Sequence, residues 1–169
     1  MEFHPEQIDL SHLLGEVRDS LRPVAAAKQI AIETTIAPGC EALFLDAAKL
    51  KQVLYNYLSN ALKFTAERGS VHVRAWPEEM RTLRIEVEDS GIGIRPDDLG
   101  LLFTEFKQLD SSAAKRYQGT GLGLALTRRI VEAQGGTVGA RSTFGKGSVF
   151  HAVLPRAISE HTVAAGALP

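Results

Sequence analysis

Apolar residues recur along this chain with two periods. Leu10, Leu13, Leu14, Val17, Leu21 and Val24 follow three- and four-residue spacing and predict a helix to about Ala27, capped by Asp9 or Ser11. A short strand over residues 3–8 precedes it. The period drops to two between Ile30 and Ile36, with Ile30, Ile32, Thr34 and Ile36 on one face, and Pro38-Gly39 ends that strand. Leu50, Val53, Leu54, Tyr57, Leu58, Ala61 and Leu62 restore helical spacing for a long helix from an Asp46 N-cap to about Thr65. Strands at about 70–76 and 82–89 come next, and Pro96 fits the first turn of a short helix near 96–103. Residues 104–120 have no clear period, and a loop of that length is usually functional or mobile. A helix from Gly121 to Gln134 stops at Gly135-Gly136, and strands at about 137–142 and 147–154 close the domain. After Pro155 the composition turns small and polar, which predicts a loose tail over 156–169 beside a domain spanning 1–155.

Strands arriving as adjacent pairs, separated by three or more helices, predict a two-layer α/β sandwich of the α+β kind, a sheet with helices on one face. A doubly wound parallel fold would alternate strand and helix regularly. Composition narrows the function class. The chain has 169 residues, 44% hydrophobic and 23% charged, as expected for one globular domain that folds without a staple. A net charge of -1 argues against a large nucleic-acid footprint. The single cysteine, Cys40, excludes a disulfide framework and suits a reducing cytoplasm. No uncharged apolar run approaches the ~18 residues of a membrane span, and the N-terminus is no signal peptide. A cytoplasmic domain without nucleic-acid or membrane contact is expected.

Three clusters carry candidate chemistry. On the long helix, Lys49, Gln52, Asn56, Asn60 and Lys63 fall within roughly 80° of arc. An asparagine offers a neutral oxygen to a hard cation and a lysine offers a point charge to phosphate, although a solvated face reads the same way. In the strand ending at Asp89 the odd positions are apolar, so the Asp89 carboxylate points to the buried side. An ionised aspartate there could accept from the amino group of adenine, or could close a turn on its own backbone at Gly91 and Gly93. Gly119-Thr120-Gly121-Leu122-Gly123-Leu124 runs into a helix whose free N–H groups could meet an anion. It follows no strand of a βαβ unit, so the dinucleotide reading fails its context test. Gly145-Lys146-Gly147-Ser148 also fails as a P-loop and reads by itself as a hairpin turn.

Together, in order, the segments Leu54-Tyr-Asn56-Tyr-Leu-Ser-Asn60-Ala-Leu-Lys63-Phe64-Thr, Asp89-Ser-Gly91-Ile-Gly93-Ile, Leu102-Phe103-Thr-Glu-Phe106, Gly119-Thr-Gly121-Leu-Gly123-Leu and Gly145-Lys-Gly147-Ser148-Val-Phe150 closely resemble the N, G1, F, G2 and G3 boxes of the ATP-binding catalytic domain of sensor histidine kinases. The resemblance spans residues 3–155. It implies the Bergerat fold, a mixed, mostly antiparallel sheet covered on one face by about three helices. It also implies that Mg²⁺-ATP is bound and its γ-phosphoryl group passed to a histidine.

Carried onto matching positions, the resemblance implies that Asn60 ligates Mg²⁺ and that Asn56 supports nucleotide or metal. Lys63 would meet phosphate and Phe64 would flank the nucleoside. Asp89 would bind the adenine amino group, with a water shared with Ser148, while Gly91, Gly93 and Ile94 lie against the base. The 104–120 segment would be an ATP lid hinged by Gly119, Gly121 and Gly123, with Thr120, Leu122 and Leu124 beside the nucleotide. Phe103 and Phe106 would dock that lid. Many family members carry an arginine where this chain has Gln108, a variant similar to the hybrid-kinase branch; Lys115 or Arg116 could supply the charge instead.

The related ATPases place a base, glutamate, where this chain has Asn56, so the resemblance favours transfer over hydrolysis. The family's phosphoacceptor motif is absent, and His4, His12, His72, His151 and His161 do not fit it. The chain therefore reads as a monomeric catalytic domain. Its acceptor would stand on a separate dimerisation and histidine-phosphotransfer domain, with a response regulator downstream. Two rivals stay open: a nucleotide-binding regulatory module without phosphotransfer, suggested by Gln108, and a serine kinase or ATPase of the same fold.

Overall fold

The computed structural model describes residues 1–104 and 121–158. In chain order the elements are β1 (Glu6–Ile8), α1 (Leu10–Ser20), α2 (Arg22–Ala27), β2 (Ala31–Ile36), β3 (Leu43–Leu45), α3 (Ala47–Phe64), β4 (Ser70–Glu79), β5 (Thr82–Asp89), α4 (Pro96–Leu99), α5 (Gly121–Ala133), β6 (Thr137–Thr143) and β7 (Gly147–Pro155). The main sheet runs β2-β4-β5-β7-β6, parallel between β2 and β4 and antiparallel elsewhere. β1 and β3 form a separate antiparallel pair.

Alternation along the strands divides the sheet into two faces. Val71, Val73 and Ala75 of β4, Leu83, Ile85 and Val87 of β5, and Phe150, Ala152 and Leu154 of β7 are buried in one core. That core includes Leu13, Leu14 and Val17 of α1, Leu54, Leu58 and Leu62 of α3, and Ile130 and Val131 of α5. This is the two-layer arrangement expected from the strand pairs. At its last rung the inner face turns polar, where Asp89 pairs with Ser148 and Ser148 with Ser142.

Three local expectations change and one alternative is settled. The first helix is two, because Pro23 lacks an N–H and its ring clashes with the carbonyl four residues earlier; the chain turns at Leu21 and restarts as α2. Asp9, not Ser11, is the N-cap, accepting from the Ser11 N–H at 2.9 Å. β3 was not foreseen, since three residues are too short to show a period. The chain stays on the body past Pro155: Phe44 N donates to Arg156 O at 2.9 Å, Ile158 N donates to Phe44 O at 2.8 Å, and Ile158 is buried. Residues 159–169 and the 105–120 segment, including Phe106, Gln108, Lys115, Arg116, Gly119, Thr120 and His161, lie outside the described residues.

The opposite sheet face is charged and centred on Glu86, whose side chain is only 5% exposed. Arg141 grips its carboxylate in two places at 3.1 and 3.3 Å, Arg84 Nε donates at 2.9 Å and Arg74 at 3.4 Å. Burial alone would raise the Glu86 pKa, but the three arginines outweigh it and hold the group at about 2. The charged form is therefore stabilised by folding: the contribution is complete above the usual pKa near 4.5 and is lost as pH falls toward 2. Glu86→Ala, which leaves three arginines facing one another, is expected to lower stability at pH 7 by about 2 kcal/mol. Urea unfolding should show the deficit shrinking below pH 4.5; a deficit independent of pH would mean that lost packing, not charge, is responsible.

Candidate nucleotide site

The C-terminal turn of α3, the loop after β5 and the start of β7 enclose one cavity. Asn60, Phe64, Asp89, Gly93, Ile94 and Ser148 line it, together with Ile92, Leu102 and Phe150. Six residues named from the sequence thus meet in space, although they come from segments almost ninety positions apart.

Asp89 ends β5 in register with Ser148, and its inward side chain is 6% exposed. Its Oδ1 accepts the Gly91 N–H at 2.9 Å, and the Ser148 backbone N–H also donates to the carboxylate. The turn-closing reading of Asp89 is therefore realised: one oxygen closes the turn, and the carboxylate also walls the cavity. Burial pushes its pKa up to about 6, with the two N–H donors offsetting part of the shift and the Glu88 charge adding to it.

The loop after Asp89 is pinned on both sides. Ile92 N donates to Phe64 O at 3.2 Å, at the end of α3, and Gly145 N donates to Ile92 O at 2.7 Å from the β6–β7 turn. Gly93 has φ +73, and a Cβ there would overlap the Thr143 carbonyl oxygen; Gly147, at φ +137, would overlap that of Asp89. Gly145-Lys146-Gly147 is indeed a hairpin turn, and its glycines let that turn lie directly against the Asp89 loop.

α3 starts at the expected cap, where Asp46 Oδ1 accepts from Lys49 N at 3.0 Å. Its far end is held by a residue that no local pattern announces. Lys28 Nζ donates to the carbonyls of Leu62 at 2.8 Å, Lys63 at 3.1 Å and Thr65 at 3.1 Å. A cation on the unpaired carbonyls of a helix C-terminus is favourable both as donor and toward the dipole. It fixes the turn carrying Asn60, Lys63 and Phe64.

Asn60 is 7% exposed, and its amide has no hydrogen-bond partner among the described residues. A polar side chain at a cavity wall with no hydrogen bond to another described residue is free to meet a ligand there. Asn56, one turn earlier, is differently employed. Its Nδ2 donates to Gly123 O and to Thr127 Oγ1, both at 3.1 Å, while Thr127 Oγ1 donates to Gly123 O at 2.9 Å. The Asn56 amide thus ties α3 to the first turn of α5, where Gly121 and Leu122 also lie. Lys63 is exposed in the last turn of α3. Leu124 is fully buried in the core and does not line the cavity.

Sequence reasoning assigned no pocket role to Ile92, Leu102 or Phe150, and it missed Lys28, Thr127 and Ser142. Phe150 carried a signal, since period two from Ser148 places it on the same face; its ring meets Phe103 edge-on at 6.3 Å.

Residues 45–158 match the family described as histidine kinase-, DNA gyrase B-, and HSP90-like ATPase, and the chain belongs to that family. The circadian input-output histidine kinase CikA of Thermosynechococcus vestitus is 38% identical over 161 residues, 94% of this chain and 22% of that protein. The sensor protein GacS of Pseudomonas syringae pv. syringae is 41% identical over 147 residues, 84% of this chain and 16% of that protein. The chain thus spans about a fifth of the length of these relatives. The crystal structure of full-length ShkA in complex with AMPPNP superposes with a TM-score of 0.82 at 32% identity, covering 94% of this chain and 32% of that one. The nucleotide-free catalytic domain of the histidine kinase ThkA has the same fold, with a TM-score of 0.78 at 24% identity over 92% of this chain and all of that one. No helix among the described residues is long and apolar enough to cross a membrane.

Proposed function

We propose that this chain is the ATP-binding catalytic domain of a sensor histidine kinase, running at least to the buried Ile158. It would hold Mg²⁺-ATP for a histidine on a separate dimerisation and phosphotransfer domain, in the cytoplasm and upstream of a response regulator. The observation that carries this reading is the shared cavity of Asp89 and Asn60, a buried acceptor and an amide that makes no hydrogen bond among the described residues, on apolar walls. The ShkA structure, with AMPPNP bound in a protein 32% identical, supports it.

On this reading the Asp89 carboxylate accepts from the adenine amino group, Phe64 flanks the nucleoside, and Gly91, Gly93 and Ile94 lie along the base. Lys63 faces the phosphates. The neutral oxygen of Asn60 fits a hard cation that otherwise keeps waters and phosphate oxygens as ligands. Mg²⁺ bound there would neutralise charge building on the phosphate oxygens. The acceptor imidazole nitrogen attacks the γ-phosphorus, the bond to the β–γ bridging oxygen breaks, and ADP leaves. The protein's contribution is position and charge compensation. Asn56 offers no base to activate water and spends its amide nitrogen on α5.

The test is calorimetric titration with AMPPNP, with and without Mg²⁺, alongside the guanine analogue, followed by mixing with a histidine-bearing helical domain and radiolabelled ATP. Saturable, adenine-selective, Mg²⁺-strengthened binding and label on the histidine are expected. Binding without transfer would leave a regulatory nucleotide module, and rapid hydrolysis by the chain alone would make it an ATPase.

A further inference from the structure

Asp89, Ser148 and Ser142 stand side by side on the last rungs of β5, β7 and β6. The hydrogens in this row can be counted. A serine hydroxyl has one hydrogen to donate and two lone pairs with which to accept. Ser142 Oγ accepts the backbone N–H of Ile94 at 2.8 Å, and it donates at 2.8 Å to the Gly147 carbonyl oxygen, which can only accept. Its one hydrogen is thereby spent. The Ser148 hydroxyl, 2.9 Å away, must then be the donor in the Ser142–Ser148 contact, filling the second lone pair of Ser142. Ser148 has no hydrogen left for the cavity that it lines beside Asp89.

We propose that Ser142, which does not line the cavity, sets its base specificity: by taking the Ser148 proton it leaves the Asp89–Ser148 corner with acceptors only. The proposal rests on the nucleotide reading of the cavity. A base presenting an amino group to that corner is satisfied. One presenting a carbonyl meets two acceptors and is rejected, as any site that leaves buried polar groups unpaired rejects its ligand. An intervening water does not relax the rule. Held by both oxygens, it spends both hydrogens on them and turns a lone pair toward the base. The contact from Ile94 adds position to polarity, since the same hydroxyl anchors the loop lying along the base.

The experiment compares AMPPNP and GMPPNP binding at pH 8, where Asp89 is ionised, for the wild type, Ser142→Ala and Ser142→Thr, with thermal unfolding of each. In Ser142→Ala the Ser148 hydroxyl is free to rotate its hydrogen into the cavity, and the adenine-to-guanine affinity ratio should fall about tenfold, the loss of one acceptor–acceptor conflict. Ser142→Thr keeps the hydroxyl and should restore the ratio. A purely structural role predicts otherwise: both affinities fall together, the ratio holds, and the proposal is overturned. If Ser142→Ala does not fold, Ser142→Cys carries the test, because a thiol is a weak acceptor for the Ser148 hydrogen and must also lower the ratio. A wild type that binds neither nucleotide refutes the cavity assignment and this proposal with it, whereas a binding protein with an unmoved ratio refutes only the role of Ser142.

Discussion

Asp89→Asn is expected to give a more stable protein that no longer distinguishes adenine from guanine. The buried carboxyl titrates at about 6 in the folded chain against an ordinary value of 3.8, so the folded state binds the proton more tightly than the unfolded state. The stability carried by the protonated form is complete below about pH 4 and is lost as pH rises through about 6. At neutral pH the buried charge therefore costs on the order of 2–3 kcal/mol. Asparagine does not ionise, and its side-chain oxygen can keep the Gly91 and Ser148 N–H bonds. Its advantage over the wild type should open between pH 4 and 6 and level off above, which urea unfolding across that range measures. Binding should move the opposite way. An amide can present a donor where the carboxylate only accepts, so AMPPNP affinity is expected to fall at least tenfold and the preference over GMPPNP to vanish. The affinity gap between wild type and variant should narrow as pH drops below 6, a comparison in which titration of the phosphates cancels. A stability gain with base preference intact would reduce Asp89 to a turn-closing residue.

Asn60→Ala should separate binding from folding more cleanly. Its amide makes no hydrogen bond among the described residues, so removal orphans no partner there, and stability should change by about 1 kcal/mol or less. The Mg²⁺-dependent part of nucleotide affinity should disappear, a loss of roughly tenfold to a hundredfold, so that titrations with and without the ion coincide. Mg²⁺ enhancement surviving in the variant would remove Asn60 from the metal and leave the phosphates and water as its only ligands.

These two residues also mark how far the site was legible in advance. Period two along β5 placed the Asp89 carboxylate inside, and helical spacing put Asn56, Asn60 and Lys63 on one stripe. What the stripe could not reveal is that its members divide. Asn60 lines the cavity and makes no hydrogen bond among the described residues, Asn56 is bonded across to Gly123 and Thr127, and Lys63 stays exposed. The polar row at the end of the inner face was half visible. Ser148 was named from its motif, but Ser142 emerges only when the β6–β7 register sets the two hydroxyls opposite each other.

The sequence by itself determined much of what depends on near neighbours: the Asp46 cap, the span of α3, the strand pairs, the glycine turns and the motif order that identifies the family. Those features are decided within a turn or a hairpin, where the spacing of side chains is known once the period is known. Only the tertiary structure decided who stands opposite whom: Lys28 on the end of α3, three arginines around Glu86, Ser142 against Ser148, and Ile158 returned to the core. A period states which face a residue occupies. The charge, the hydrogen and the exposure that it finally has are set by partners that lie as much as fifty positions away or more, and those partners exist only once the chain is folded.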